Sequence, residues 1–208
     1  YDGNISVTLG NSAVSLGDVT WQYKVGDGVW TEGLPVNAGT YTISIKTYSN
    51  SGNVTVTNLG DATAQLVISP KDITFNAKLA EKASLTYGDT LEQDQMNALV
   101  NVGVAEGQES IGFTFTVSLK AGDVAFDSTT AANAIVTVSV EVTATDSNYN
   151  AVNPAALKLT VQRRVITGAL RATSATYDGA VQTVEFVPDN VANGDAVTFA
   201  YSYRLNNG

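Results

Sequence analysis

An all-β fold is the expectation for this 208-residue chain, and three observations carry it. Apolar and polar residues alternate with period two over much of its length. Clusters of Gly, Asn and Asp, which reverse a chain, break the alternation. Only 15% of residues are charged while 44% are hydrophobic, so Thr, Ser, Asn and Gly must supply the polar surface. That balance suits half-buried strands better than long helices. The architecture expected is a tandem of small antiparallel β-sandwich modules of immunoglobulin-like type, with β-grasp-like modules as the alternative.

The elements follow in order. "VTWQYKV" sets Val19, Trp21, Tyr23 and Val25 against Thr20, Gln22 and Lys24. "GFTFTVSL" sets Phe113, Phe115, Val117 and Leu119 against Thr114, Thr116 and Ser118. "VTVSVEVTAT" places Val136, Val138, Val140 and Val142 on one face, and "VTFAYSYRL" does the same with Val197, Phe199, Tyr201, Tyr203 and Leu205. One apolar and one wettable face per strand is the pattern of antiparallel sheets packed on one side. "GDG" (26–28), "NAG" (37–39), "AGD" (121–123) and "NNG" (206–208) predict turns. One stretch departs from alternation: "DTLEQDQMNALV" carries Leu91, Gln95, Met96 and Leu99 at helical spacing. It predicts a short helix near 90–100, capped by Asp89 or Thr90, with Glu92 near its positive end.

The chain also repeats itself. "AQLVISPKDIT" (64–74) matches "LKLTVQRRVIT" (157–167) in pattern, and "VTWQYKVGDG" (19–28) resembles "TFAYSYRLNNG" (198–208). "YDG" at Tyr1, "YGD" at Tyr87 and "YDG" at Tyr177 each open a module's body, 86 and 90 residues apart. The boundaries this predicts are repeat one at 1–72 without its lead strand, repeat two at 73–164, and repeat three, incomplete, at 165–208. A chain opening in mid-phrase reads as a piece of a longer one. Head-to-tail units of this length suit an array in which neighbouring repeats are partners.

"TYDGAVQTVEF", "TYGDTLEQD", "VNAGTYTISI", "DSNYNAV…LKLTV" and the exit "ITG" together resemble tandem MBG/YDG-type repeats. Those repeats belong to large bacterial surface proteins and adhesins, and the resemblance spans essentially the whole chain. It implies an extracellular location on the bacterial surface, or secretion, with signals outside these residues. Repeat two departs from the pattern, with Gly88-Asp89 for Asp-Gly and "NAIVTVSV" for "AGTYTISI". Such drift suits residues that serve shape more than chemistry.

Composition narrows function. Eleven Lys+Arg face 20 Asp+Glu, a net charge of −9, with no basic run longer than Arg163-Arg164. Phosphate-backbone binding needs clustered positive charge, so no nucleic-acid partner is expected. No 18-residue apolar run is present, so no membrane insertion is expected either. With no cysteine or histidine, Ser-His-Asp and Cys-His catalysis and the commonest zinc ligands are absent. Carboxylate pairs remain: Asp89 with Glu92 or Asp94, Asp123 with Asp127, and Glu106 with Glu109. A glycosidase needs two carboxylates roughly 5–10 Å apart across a cleft; these lie in polar turn stretches, and no enzyme is expected. The loops "DSNYN" (146–150) and "AGDVAFDS" (121–128) are rich enough in oxygen for calcium, but lack D-x-D-x-D-G spacing. No cofactor is expected, calcium included.

For Tyr1, Asp2, Gly3, Tyr87, Gly88, Asp89, Tyr177, Asp178 and Gly179, turn chemistry accounts for all three residue types. The rival reading has the tyrosines stacking on sugar and the aspartates accepting from it. Among aromatics, Trp21, Tyr23, Tyr201 and Tyr203 fall on inward phases, whereas Trp30, Tyr48 and Tyr149 fall near turns and are the candidate ligand-binding residues. They could equally cover a module end. The functional expectation is an extracellular structural or adhesion repeat, a rigid spacer or stalk presenting a distal domain, elongated in solution scattering. The alternative is a carbohydrate- or glycoprotein-binding module for a host or cell-wall glycan. Pro70 restrains the first inter-repeat linker (69–73), and 162–167 forms the second. No isopeptide crosslink is expected at Lys46, Lys78 or Lys158. Residues 165–208, lacking half a module, are expected to fold back on repeat two or to pair with another chain, with Ile5–Leu9 as acceptor edge.

Overall fold

The computed structural model describes residues 19–48, 63–172, 176, 179–180, 182, 184–202 and 204. Tyr1, Asp2, Gly3, Ile5–Leu9, Tyr177, Asp178, Tyr203 and the 206–208 turn lie outside the described residues. Among the described residues strands dominate, with one short helix, so the fold is all-β. The described residues pack into two units: one gathers stretches within 1–76, 103–114 and 142–153, the other 77–102, 115–141 and 154–208. The units therefore cut across the repeats read from the sequence.

In the first unit, β1 (Val19–Lys24), β2 (Thr31–Glu32), β3 (Gly39–Tyr48) and β4 (Thr63–Ile68) form an antiparallel sheet ordered β2-β1-β3-β4. Alternation in "TYTISI" buries Tyr41, Ile43 and Ile45 on one face. Tyr23 meets Tyr41 edge-on, with ring centroids 5.5 Å apart, a favoured aromatic geometry. Val25 was expected on this inward face, but the strand stops at Lys24 and Val25 is 64% exposed in the following turn.

A second sheet orders β11 (Tyr149–Val152), β5 (Lys71–Leu79) and β7 (Val100–Val104). Ile73 and Phe75 are buried there, and Phe75 packs on Phe113 at 4.8 Å. The largest sheet orders β6 (Leu85–Thr86), β12 (Leu157–Gln162), β10 (Ile135–Ala144), β8 (Phe113–Ala121) and β9 (Val124–Ala125). Val136, Val138, Val140 and Val142 are all buried while Ser139 and Glu141 are exposed, as period two requires. A two-residue turn at Gly122-Asp123 joins β8 to β9. Two pairings are not antiparallel: β11 runs parallel to β5, and β12 parallel to β6.

The helix α1 spans Gln93–Asn97. Its N-cap is Glu92, not Asp89 or Thr90, and the Glu92 N–H donates to Gln95 Oε1 at 2.8 Å, half of a capping box. In the second unit, β13 (Gly168–Ala172) and β14 (Val184–Pro188) form an antiparallel pair. The strand expected over 197–205 does not form over its described residues. Phe199 stacks on Phe186 at 4.2 Å yet is 38% exposed, and Tyr201, expected inside, is 57% exposed.

Candidate functional site: the two inter-repeat joints

The residues proposed to bind ligand fall at separate places along the backbone. Trp30 precedes β2 beside the C-terminal end of β1, and Lys24 Nζ lies 5.3 Å from its ring centroid. Tyr48 pairs with Val19 at the other end of β1, about 17 Å away at strand spacing. Tyr149 opens β11, and its hydroxyl donates to Glu109 Oε1 at 3.0 Å. The Trp30 ring is thus faced by a cation, and the Tyr149 phenol is already bonded. Among the described residues no group of three or more carboxylates could hold a metal ion. Asp127 and Asp146 instead hold turns. Asp127 Oδ1 accepts from the N–H and the hydroxyl of Thr129, at 2.8 and 2.7 Å. The Thr129 hydroxyl and then its N–H hold the exposed Asp127 carboxyl below its ordinary value. Asp146 Oδ1 accepts from Asn148 N–H at 2.8 Å.

Polar side chains bond across both of the linkers read from the sequence. In the first joint only Ser69 and Pro70 separate β4 from β5. Asn148 spans it with three bonds: its Oδ1 accepts from Ala38 N–H (2.6 Å), its Nδ2 donates to Asn37 Oδ1 (3.2 Å), and its carbonyl accepts from Lys71 N–H (2.9 Å). Lys71 Nζ pairs with Glu109 at 3.3 Å, and Asn150 Nδ2 donates to Asp72 at 3.2 Å. Thr74 is held on both sides, its N–H by Gln108 Oε1 (2.8 Å) and its carbonyl by Ala105 N–H (2.9 Å).

The second joint repeats this chemistry over 163–167. Thr167 N–H donates to Asn190 Oδ1 (2.8 Å), and its carbonyl accepts from Asp189 N–H (3.1 Å), so Thr167 stands where Thr74 stands. Arg164 stands where Lys71 stands. Its Nε donates to the Tyr87 carbonyl at 2.7 Å and its Nη2 to Asp89 Oδ1 at 3.0 Å. The other Asp89 oxygen accepts from Thr86 N–H at 2.8 Å. "Tyr-Gly-Asp" is therefore a turn that presents a carbonyl and a carboxylate to one guanidinium. A charge-assisted bond of this kind contributes about 1.5–3 kcal/mol. Gly88 adds a steric condition: its φ is +87°, and a Cβ there would lie 2.4 Å from Ala192 Cβ. Only glycine tolerates both.

Ala192 belongs to a turn that sequence reasoning missed. "VAEG" (104–107) and "VANG" (191–194) occupy matching places in repeats two and three, with Gly107 at φ +80° and Gly194 at φ +69°. In both, the residue after glycine donates its N–H to the alanine carbonyl, Gln108 to Ala105 and Asp195 to Ala192. Aligning 64–74 on 157–167 already sets Lys71 on Arg164 and Thr74 on Thr167; carried on with a six-residue gap, the same alignment sets "VAEG" on "VANG". Asn193 Nδ2 reaches Ser128 O at 2.6 Å. Tyr87, Ala132, Arg163, Arg164, Ala192 and Val197 help line an open cavity of about 320 Å³ there.

The chain matches no family model, no curated protein and no solved structure. No helix among the described residues is long and apolar enough to cross a membrane.

Proposed function

We propose that the chain is a structural repeat array, a rigid spacer in the extracellular part of a bacterial surface protein that holds a distal domain at a set orientation. The observation behind this reading is the recurrence of one joint chemistry at two linkers: a basic residue three positions before a threonine whose N–H and carbonyl are both bonded. Partners on this reading are neighbouring repeats. A hinge would leave its linker backbone to water, whereas Lys71, Thr74 and Thr167 have bonded N–H groups. Backbone ¹⁵N relaxation tests it: order parameters at Lys71, Thr74, Tyr87 and Thr167 should match those of the core strands, about 0.85, and values below about 0.6 would reject rigidity.

The second reading is a glycan-binding module, favoured by the open cavity beside Tyr87 and Arg163 rather than by Trp30, Tyr48 and Tyr149. Binding on a glycan array lost in Tyr87→Ala but kept in Trp30→Ala would support it. Silence across the array would favour the spacer.

A further inference from the structure

We infer that repeat two is built to bear tension along the chain, its two parallel ladders, β5 with β11 and β6 with β12, each acting as a shear clamp. The inference deepens the spacer reading and rests on it for its biological meaning, not for its mechanics. Lys71 opens β5, the strand that leads into the repeat, and Gln162 closes β12, its last strand. β5 pairs in parallel with β11 over Lys71↔Tyr149 to Thr74↔Val152. β6 pairs in parallel with β12 through Leu85↔Val161 and Thr86↔Gln162. Tension on the array pulls the opening strand towards its N-terminus and the closing strand towards its C-terminus. In each parallel pair the earlier strand, β5 or β6, is drawn towards its N-terminus and the later one, β11 or β12, towards its C-terminus, so the two pulls oppose each other along the strand axis and the bonds of each ladder are loaded together. An antiparallel pair pulled at directly opposed residues would instead open one bond at a time.

Two details reinforce the clamp. Each ladder is extended by one backbone bond, Lys71 N–H to Asn148 O and Tyr87 N–H to Gln162 O, both at 2.9 Å. Ile73, Leu85 and Val161 are fully buried in or beside the ladders, which keeps water from replacing the hydrogen bonds as they stretch.

The test is single-molecule pulling on the full chain. It contains no cysteine, so introduced pairs give specific handles. Ser69→Cys with Arg163→Cys loads the parallel ladders in shear. Ile135→Cys with Thr160→Cys pulls two directly opposed residues of the antiparallel β10–β12 pair and peels it. Full release between 69 and 163 should leave a stretched segment of about 330 Å at roughly 3.5 Å per residue, which, less the folded separation of the handles, identifies the event. The shear pull should rupture at several-fold higher force than the peel. Lys71→Pro, which removes the ladder's first N–H, should lower the shear force below that of Lys71→Ala, which removes only the Glu109 pair. Both variants should peel at the parent force. A shear force no higher than the peel, or Lys71→Pro and Lys71→Ala rupturing alike in shear, overturns the clamp. High shear force with mobile joint amides would keep the clamp and reject the spacer.

Discussion

Replacing Gly88 by Ala probes the second joint at its tightest contact. The backbone there has φ +87°, and placing a Cβ-bearing residue in the left-handed region costs about 1–2 kcal/mol. The new Cβ would also sit 2.4 Å from Ala192 Cβ. Relieving such overpacking typically costs about 1–3 kcal/mol. Gly88→Ala should therefore lose about 2–5 kcal/mol locally. Ala192→Gly removes the partner atom and alone should cost about 1 kcal/mol or less. The double variant should regain the overlap cost but not the backbone cost, leaving a coupling of about 1–3 kcal/mol between the sites. Because the chain packs as more than one unit, a single melting curve is a poor assay. Native-state hydrogen exchange at the Tyr87 and Asp195 amides, bonded to Gln162 O and Ala192 O, reads the joint directly. Costs that add to within about 0.5 kcal/mol would show that Ala192 does not press on Gly88.

Other expectations are as direct. Phe75→Ala removes a buried ring packed on Phe113 and should cost about 3–5 kcal/mol, read by native-state hydrogen exchange at the Ala105 amide, which is bonded to Thr74 O. The Asp127 carboxyl should titrate by NMR below 3.8, and Thr129→Val should move it back up. Because its folded value is depressed, its stabilising contribution is present above the unfolded value and fades as pH falls through the folded one. Lys46 forms an exposed ion pair with Glu32; Lys46→Ala should cost no more than about 1 kcal/mol. The parent's intact mass should show no loss of ammonia or water, whereas such a loss would reveal a crosslink.

Strand content was legible because burial follows period two wherever a strand has one wet face, as Val136 to Val142 do. The helix was legible from the spacing of Leu91, Gln95, Met96 and Leu99, but not its cap, because Asp89 is held by Thr86 and Arg164 instead. Parallel pairing was not legible: alternation is the same for parallel and antiparallel partners, and "YNAV" carries no mark of which strand it joins. The 197–205 run kept its alternation yet formed no strand over its described residues, since pattern supplies a face but not a partner. For the site, the Tyr-Gly-Asp turn was legible as turn chemistry, while its role in receiving Arg164 and Ala192 depends on contacts 75 residues or more away. Trp30, Tyr48 and Tyr149 were singled out for nearness to turns, a one-dimensional property that does not fix where a ring lies.

The central claim is that both joints hold a single geometry, and spin-label distance distributions across each joint test it most directly. Labels on cysteines replacing exposed Val29 and Glu106 report the first joint, and Lys120 with Glu185 the second. Each pair should give one narrow population in the parent chain. Asn148→Ala should broaden the first distribution alone and Arg164→Ala the second alone. Broad or multiple populations in the parent chain would contradict the account.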